Sequence, residues 1–249
     1  ATSMKSYLTA GKIKKSLTTS RMLLAKTTSV KTKLESKLFQ AKVQMLTHKT
    51  QLALRSLQHI SKQATQAHRQ GKINKASWKS LYGKSNLLLA ETIKSKFDQI
   101  ILKLKDKSLV ENNRKKMDLF SKLRKYYHKA SNAQHPILSS EARFKLAETS
   151  TNYANEIGNI FLNKKLPTTV KRHYRIRQRI QSLKDLSRSL HSKNATNMMR
   201  ISSNKNNTWN KRSQRRISGY NGKNKSDEKF ELISPNSYSQ GIVNRWSHQ

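Results

Sequence analysis

The chain has 249 residues, of which 52 are Lys or Arg and 13 are Asp or Glu, for a formal charge of +39. Only 34% of it is hydrophobic, against the usual ~45–50%, and it has no cysteine, which excludes a disulfide framework, a thiol nucleophile, cysteine-ligated zinc and iron–sulfur clusters. Self-repulsion of this size destabilises an isolated compact state unless a polyanion neutralises it, so the composition predicts a chain that lives bound.

The first acidic residue is Glu35, and residues 1–30 are rich in Lys, Ser and Thr. That composition is shared by organelle transit peptides and by basic arms that touch phosphates, with Lys14 and Lys15 as candidate contacts. From residue 31 to 70 no Gly or Pro intervenes. Phe39, Val43, Leu46, Thr50, Ala53, Leu57, Ile60, Ala64 and Ala67 alternate in steps of four and three, a heptad seam. The spacing predicts one helix about 60 Å long at ~1.5 Å per residue. Gly71 ends it, and the seam is read as a core face or as a surface for self-association.

Asn74 then caps a segment carrying Trp78, Leu81 and Tyr82, which Gly83 interrupts. Ser85 caps a second long helix to about Lys105, with Leu89, Ile93, Phe97, Ile100 and Leu104 inward. The short link makes the two long helices an antiparallel hairpin. A third helix over about 109–131 turns Met117, Phe120, Leu123 and Tyr127 inward and stops before Pro136. Ser139 or Ser140 caps a fourth, whose buried face is Leu146, Tyr153, Ala154, Ile157 and Phe161. The expected fold is mainly α, an elongated helical bundle or long helical hairpin with basic extended arms at both ends. Its parts are the N-terminal arm (1–30), a helical body (31–165), a basic amphipathic helix (166–191) and a low-complexity basic tail (192–249).

Groups for catalysis are sparse. The eight His include no i, i+4 metal pair, the acids are scattered singly, and the seven Gly form no phosphate loop. No enzyme, cofactor or metal is expected, and no apolar run approaches the ~20 residues of a membrane span. What remains is charge geometry. Residues 170–190 carry seven Lys or Arg and one acid, Asp185. Val170, Tyr174, Ile180, Leu183, Leu186 and Leu190 make one face of this helix, while Arg172, Arg175, Arg177, Arg179 and Arg188 mostly occupy the others. Solvated faces normally mix both signs, so this one is read as Arg forks offered to phosphates. Beyond it, Lys211, Arg212, Arg215 and Arg216 lie near Trp209 and Tyr220, whose rings can stack on unpaired bases.

A small helical body with basic arms, rich in Lys, Asn and Ser, resembles ribosomal proteins as a class, mitochondrial ones in particular. The resemblance is one of composition and layout and carries over no residue roles. It implies a structural rRNA-binding component of a mitochondrial ribosome, with RNA and neighbouring ribonucleoprotein subunits as partners. A second reading of the same features is a viral or chromatin-type packaging protein, in a virion or nucleus, that self-associates through its long helix.

Overall fold

A computed structural model describes residues 13–103, 108–162, 170–200 and 207–223. They form eight α-helices, with no strand among the described residues: α1 (Ile13–Lys26), α2 (Val30–Leu46), α3 (Thr50–Arg69), α4 (Lys75–Gln99), α5 (Leu109–Asn132), α6 (Pro136–Phe161), α7 (Val170–Arg200) and α8 (Thr208–Lys223). The mainly α expectation holds, and most core positions read from periodicity are buried, including Leu57, Ile60, Phe120, Leu123, Tyr127, Leu146, Tyr153 and Ile157, while Leu46 is exposed and Thr50, Ile100, Met117 and Phe161 are half-buried.

Each helix packs on the next in sequence. In addition α2 touches α4, α4 touches α6 and α6 touches α8. The even helices thus form one continuous layer, and α3, α5 and α7 each bridge two of its members. Helices in that layer are covered from several directions, so they need small residues. Ala142, Ala147, Ser150 and Ala154 of α6 are all buried. Gly83 does not interrupt α4 as its residue type suggested. It lies inside the helix, where an added Cβ would stand 3.0 Å from Leu138 Cδ1 and 3.3 Å from Ala133 Cβ. It is a glycine of close approach between α4 and the start of α6.

The predicted 40-residue helix is two helices folded on each other. At the end of α2, His48 takes φ 57°. Its N–H donates to Met45 O at 3.2 Å, and the Lys49 N–H donates to Gln44 O at 2.9 Å. That pair of bonds is a Schellman stop, normally built on Gly, and the same pair closes α3 at Gly71. The seam therefore has no continuous face for self-association. Leu46 and Thr47 are exposed at the turn, while Leu57, Ile60, Ala64 and Ala67 are buried against α2 and α4.

Four further boundaries differ. Part of the supposed N-terminal arm is α1, whose Leu17 and Leu23 pack on Phe39 and Val43 of α2. α4 ends at Gln99 rather than near Lys105. The cap of α6 is His135, whose Nδ1 accepts from the Leu138 N–H, with Pro136 at the first helical position; Ser139 and Ser140 are buried inside the helix. Finally, α7 runs on to Arg200 and α8 covers Thr208–Lys223, so these parts of the expected extended tail are helical. The expected arm at 1–12, the cap at Thr168 or Thr169, and the last segment from Asp227 lie outside the described residues.

The stop at His48 sets a sign test. A non-glycine residue in the left-handed region costs about 1 kcal/mol, so His48→Gly should stabilise the protein by about 0.5–1 kcal/mol in urea unfolding. In an unbroken helix the same change would destabilise by about that amount.

Candidate nucleic-acid interface

On α7 the buried residues are Ile180, Leu183, Ser187, Leu190, His191 and Asn194, a stripe in steps of three and four that packs on α6 and α8. Arg175, Arg177, Lys184, Arg188 and Lys193 are exposed around it and Arg179 is half-buried. α8 repeats the pattern with Asn210, Ser213, Ile217 and Tyr220 inward and Lys211, Arg212, Arg215 and Arg216 outward. The two helices are antiparallel neighbours, so their outer sides make one continuous basic surface. Lys14 and Lys15 belong to α1 and Arg172 to α7, but their side chains lie outside the described residues.

These cations are not equivalent. Arg216 donates to Glu148 Oε2 at 2.6 Å and ties α8 to α6. Arg188 lies over the Tyr220 ring, 5.8 Å from its centre, with Asp185 3.9 Å away. Arg212 and Lys145 lie over the Trp209 ring at 5.1 and 5.7 Å. The two rings expected to stack on bases are thus partners of the protein's own cations. Arg175, Arg177, Arg179, Lys211 and Arg215 have no carboxylate partner among the described residues.

Beneath this surface runs a buried polar layer that the sequence pattern hides. Asn194 Nδ2 donates to Ser140 O at 2.9 Å and to Ser213 Oγ at 3.1 Å. Arg143 Nε donates to Asn194 Oδ1 at 2.6 Å. His191 Nδ1 meets Ser213 Oγ at 3.1 Å, and its Nε2 lies 3.3 Å from Glu148 Oε1, off the axis of a good hydrogen bond. Ser213, His191 and Glu148 are joined in series like a hydrolytic triad. Ser213 and His191 are fully buried, however, so no substrate reaches the hydroxyl while α8 is docked. Asn210 is also fully buried, with neither side-chain polar atom paired to another protein group. Low-complexity Asn and Ser here are interior packing. The available signal was their helical spacing, which composition masked.

No group of three His, Asp or Glu able to hold a metal occurs among the described residues, and no helix there is long and apolar enough to cross a membrane. Comparison with protein-family models, with curated proteins and with solved structures gives no match to this chain.

Burial pushes the His191 imidazole below its ordinary 6.5, and Arg216 adds to this against the opposing pull of Glu148. The unfolded chain therefore takes up that proton first. The stability contributed by the neutral buried ring is complete above about pH 6.5 and is lost as pH falls from there toward the lower folded value. Thermal melts between about pH 7.5 and 5 should show Tm falling. His128 and His135 are also lowered by burial, so the part due to the α8 joint is the difference removed by His191→Gln.

Proposed function

We propose that this chain is a structural RNA-binding protein, an rRNA-binding component of a mitochondrial ribosome. The observation that carries the reading is the separation of charge by role. Carboxylates are drawn into joints between helices: Glu156 with Lys116, Glu91 with Lys145, Glu148 with Arg216. The outer sides of α7 and α8 keep Arg and Lys with almost no acid among them. A surface of one sign suits a partner that brings many regularly spaced negative charges, and phosphate contacts with counterion release would supply the affinity. A chain at +39 gains stability from such a partner as well as binding it.

Crosslinking in native extract, followed by sequencing of the attached RNA, tests the assignment. Enrichment of mitochondrial rRNA supports it. Enrichment of no RNA above a control, or of mixed RNA and DNA without preference, counts against it.

Replacing Arg177, Lys211 and Arg215 together by Gln should weaken rRNA binding and lower the slope of log affinity against log salt by roughly 0.7 for each lost contact. Helical content should stay constant, since these side chains are exposed. Arg216→Gln should behave differently, lowering Tm first, because it removes the tie to Glu148. An unchanged slope in the triple variant would assign binding to another face.

A further inference from the structure

α5 and α7 flank α6 on the same side and run parallel. Arg143 of α6 reaches both: its Nε donates to Asn194 Oδ1 of α7 at 2.6 Å and its NH1 to Ser131 Oγ of α5 at 3.4 Å. Further along α6, the Tyr153 hydroxyl donates to Asn113 Oδ1 of α5 at 3.1 Å. The same hydroxyl feels the charge of Arg179 of α7. Residues 113 to 131 of one helix therefore run alongside 179 to 194 of the other, with α6 as the floor between them.

Each helix turns heptad-spaced rows toward this channel. On α5 they are Met117, Arg124, Ser131 and Arg114, Ser121, His128; on α7 they are Arg179, Leu186, Lys193 and Arg175, Ser182, Ser189. No carboxylate stands in any of the four rows. Arg114, Arg124, Arg175, Arg179 and Lys193 have no carboxylate partner among the described residues. Proximity of the upper group shows in His128, which burial first and then the charges of Arg124 and Lys193 hold below its ordinary value. Like charges are thus gathered along the two helices, and the carboxylate whose charge also reaches the Tyr153 hydroxyl, Glu156, is already bound to Lys116.

We propose that the channel between α5 and α7 binds a single strand of RNA through its phosphates, a proposal that rests on the RNA-binding reading above. The cations form two groups, Arg114 with Arg175 and Arg179 at one end and Arg124 with Lys193 at the other. From 114 to 128 on α5, and from 179 to 193 on α7, the rise is about 21 Å at ~1.5 Å per residue. A stacked strand advances about 3.4 Å per nucleotide, and roughly twice that unstacked, so the two groups span roughly three to six nucleotides. Between them Met117 and Leu186 are half-buried, offering apolar surface to bases while the cation groups hold phosphates. One Arg side chain reaches from α7 to α5 across the floor, so the two helices stand too close for a duplex to enter between them.

The test uses the full chain and two labelled probes of equal charge, a uridine oligomer of about ten nucleotides and a closed RNA hairpin, both titrated over a range of salt. Arg124→Gln with Lys193→Gln should lower the salt slope for the single strand by about 1.4, two contacts at ~0.7 each. The hairpin slope and Tm should stay as they were. Photocrosslinks from thiouridine in the oligomer should fall within 114–128 and 175–193, a readout that needs no variant. Unchanged single-strand binding in the double variant, equal losses for both probes, or crosslinks confined to α8 would each overturn the channel while leaving RNA binding intact. Displacement of the oligomer by polyglutamate at equal charge concentration would overturn it in favour of an acidic protein partner. A wild-type chain that binds neither probe would overturn the RNA-binding reading itself.

Discussion

Three carboxylates of α6 tie it to α4, α5, α7 and α8. Glu156 meets Lys116 of α5 at 2.6 Å, Glu148 meets Arg216 of α8 and faces His191 of α7, and Glu141 shares Lys145 with Glu91 of α4. The first of these is the most demanding. Lys116 is almost wholly buried, so its charge must be answered inside the protein. Glu156, the Ile100 carbonyl at 2.6 Å and the Phe97 ring at 4.7 Å answer it. Glu156 also accepts from the Leu102 N–H at 3.3 Å, fixing the exit of α4 to the far end of α6. Removing one partner of such a buried pair costs about 3–5 kcal/mol, since the other is left uncompensated.

Spending acids at the joints has an outward consequence. Only 13 carboxylates face 52 cations, and those used at joints cannot also neutralise the surface. The outer sides of α7 and α8 are left with one exposed acid, Asp185, among their Lys and Arg. The requirement that holds the helices together and the charge that suits a polyanion are therefore two results of one shortage. It also explains why the interior holds so many Ser and Asn. With few apolar residues, the α6–α7–α8 joint is closed by hydrogen bonds among Ser140, Asn194, Ser213 and His191.

The periodic helices were legible because a buried stripe leaves the same trace whatever it packs against. Leu57, Ile60, Phe120, Tyr127, Ile180 and Leu183 were read from spacing alone and are buried. The fold-back at His48 was not legible, because its stop uses a histidine where Gly is the usual signal. Gly83 misled in the opposite direction: its missing side chain serves contact with Leu138, not a break. α8 was lost to composition, since Asn, Ser and Lys signal a solvated tail unless their spacing is weighed with a partner helix in view. The same limit hid the α5–α7 channel. Arg124 and Lys193 are sixty-nine residues apart in sequence, and only the register set by Arg143 and Tyr153 brings their helices side by side.

The helix ends point the same way as the faces. An acid in the first turn normally complements the positive end of a helix dipole, worth about 0.3–1 kcal/mol. Among the described helices α5 has one, Glu111, while α2, α3, α4, α6, α7 and α8 have none. Because α5 and α7 are parallel, their positive ends lie at the same end of the channel, beside Arg114, Arg175 and Arg179. In the isolated chain Glu111 offsets the end of α5, and the first turn of α7 has no acid to do the same. Phosphates along the channel would relieve the dipoles and the clustered cations together, so binding there would stabilise the fold in the place where its own charges strain it most.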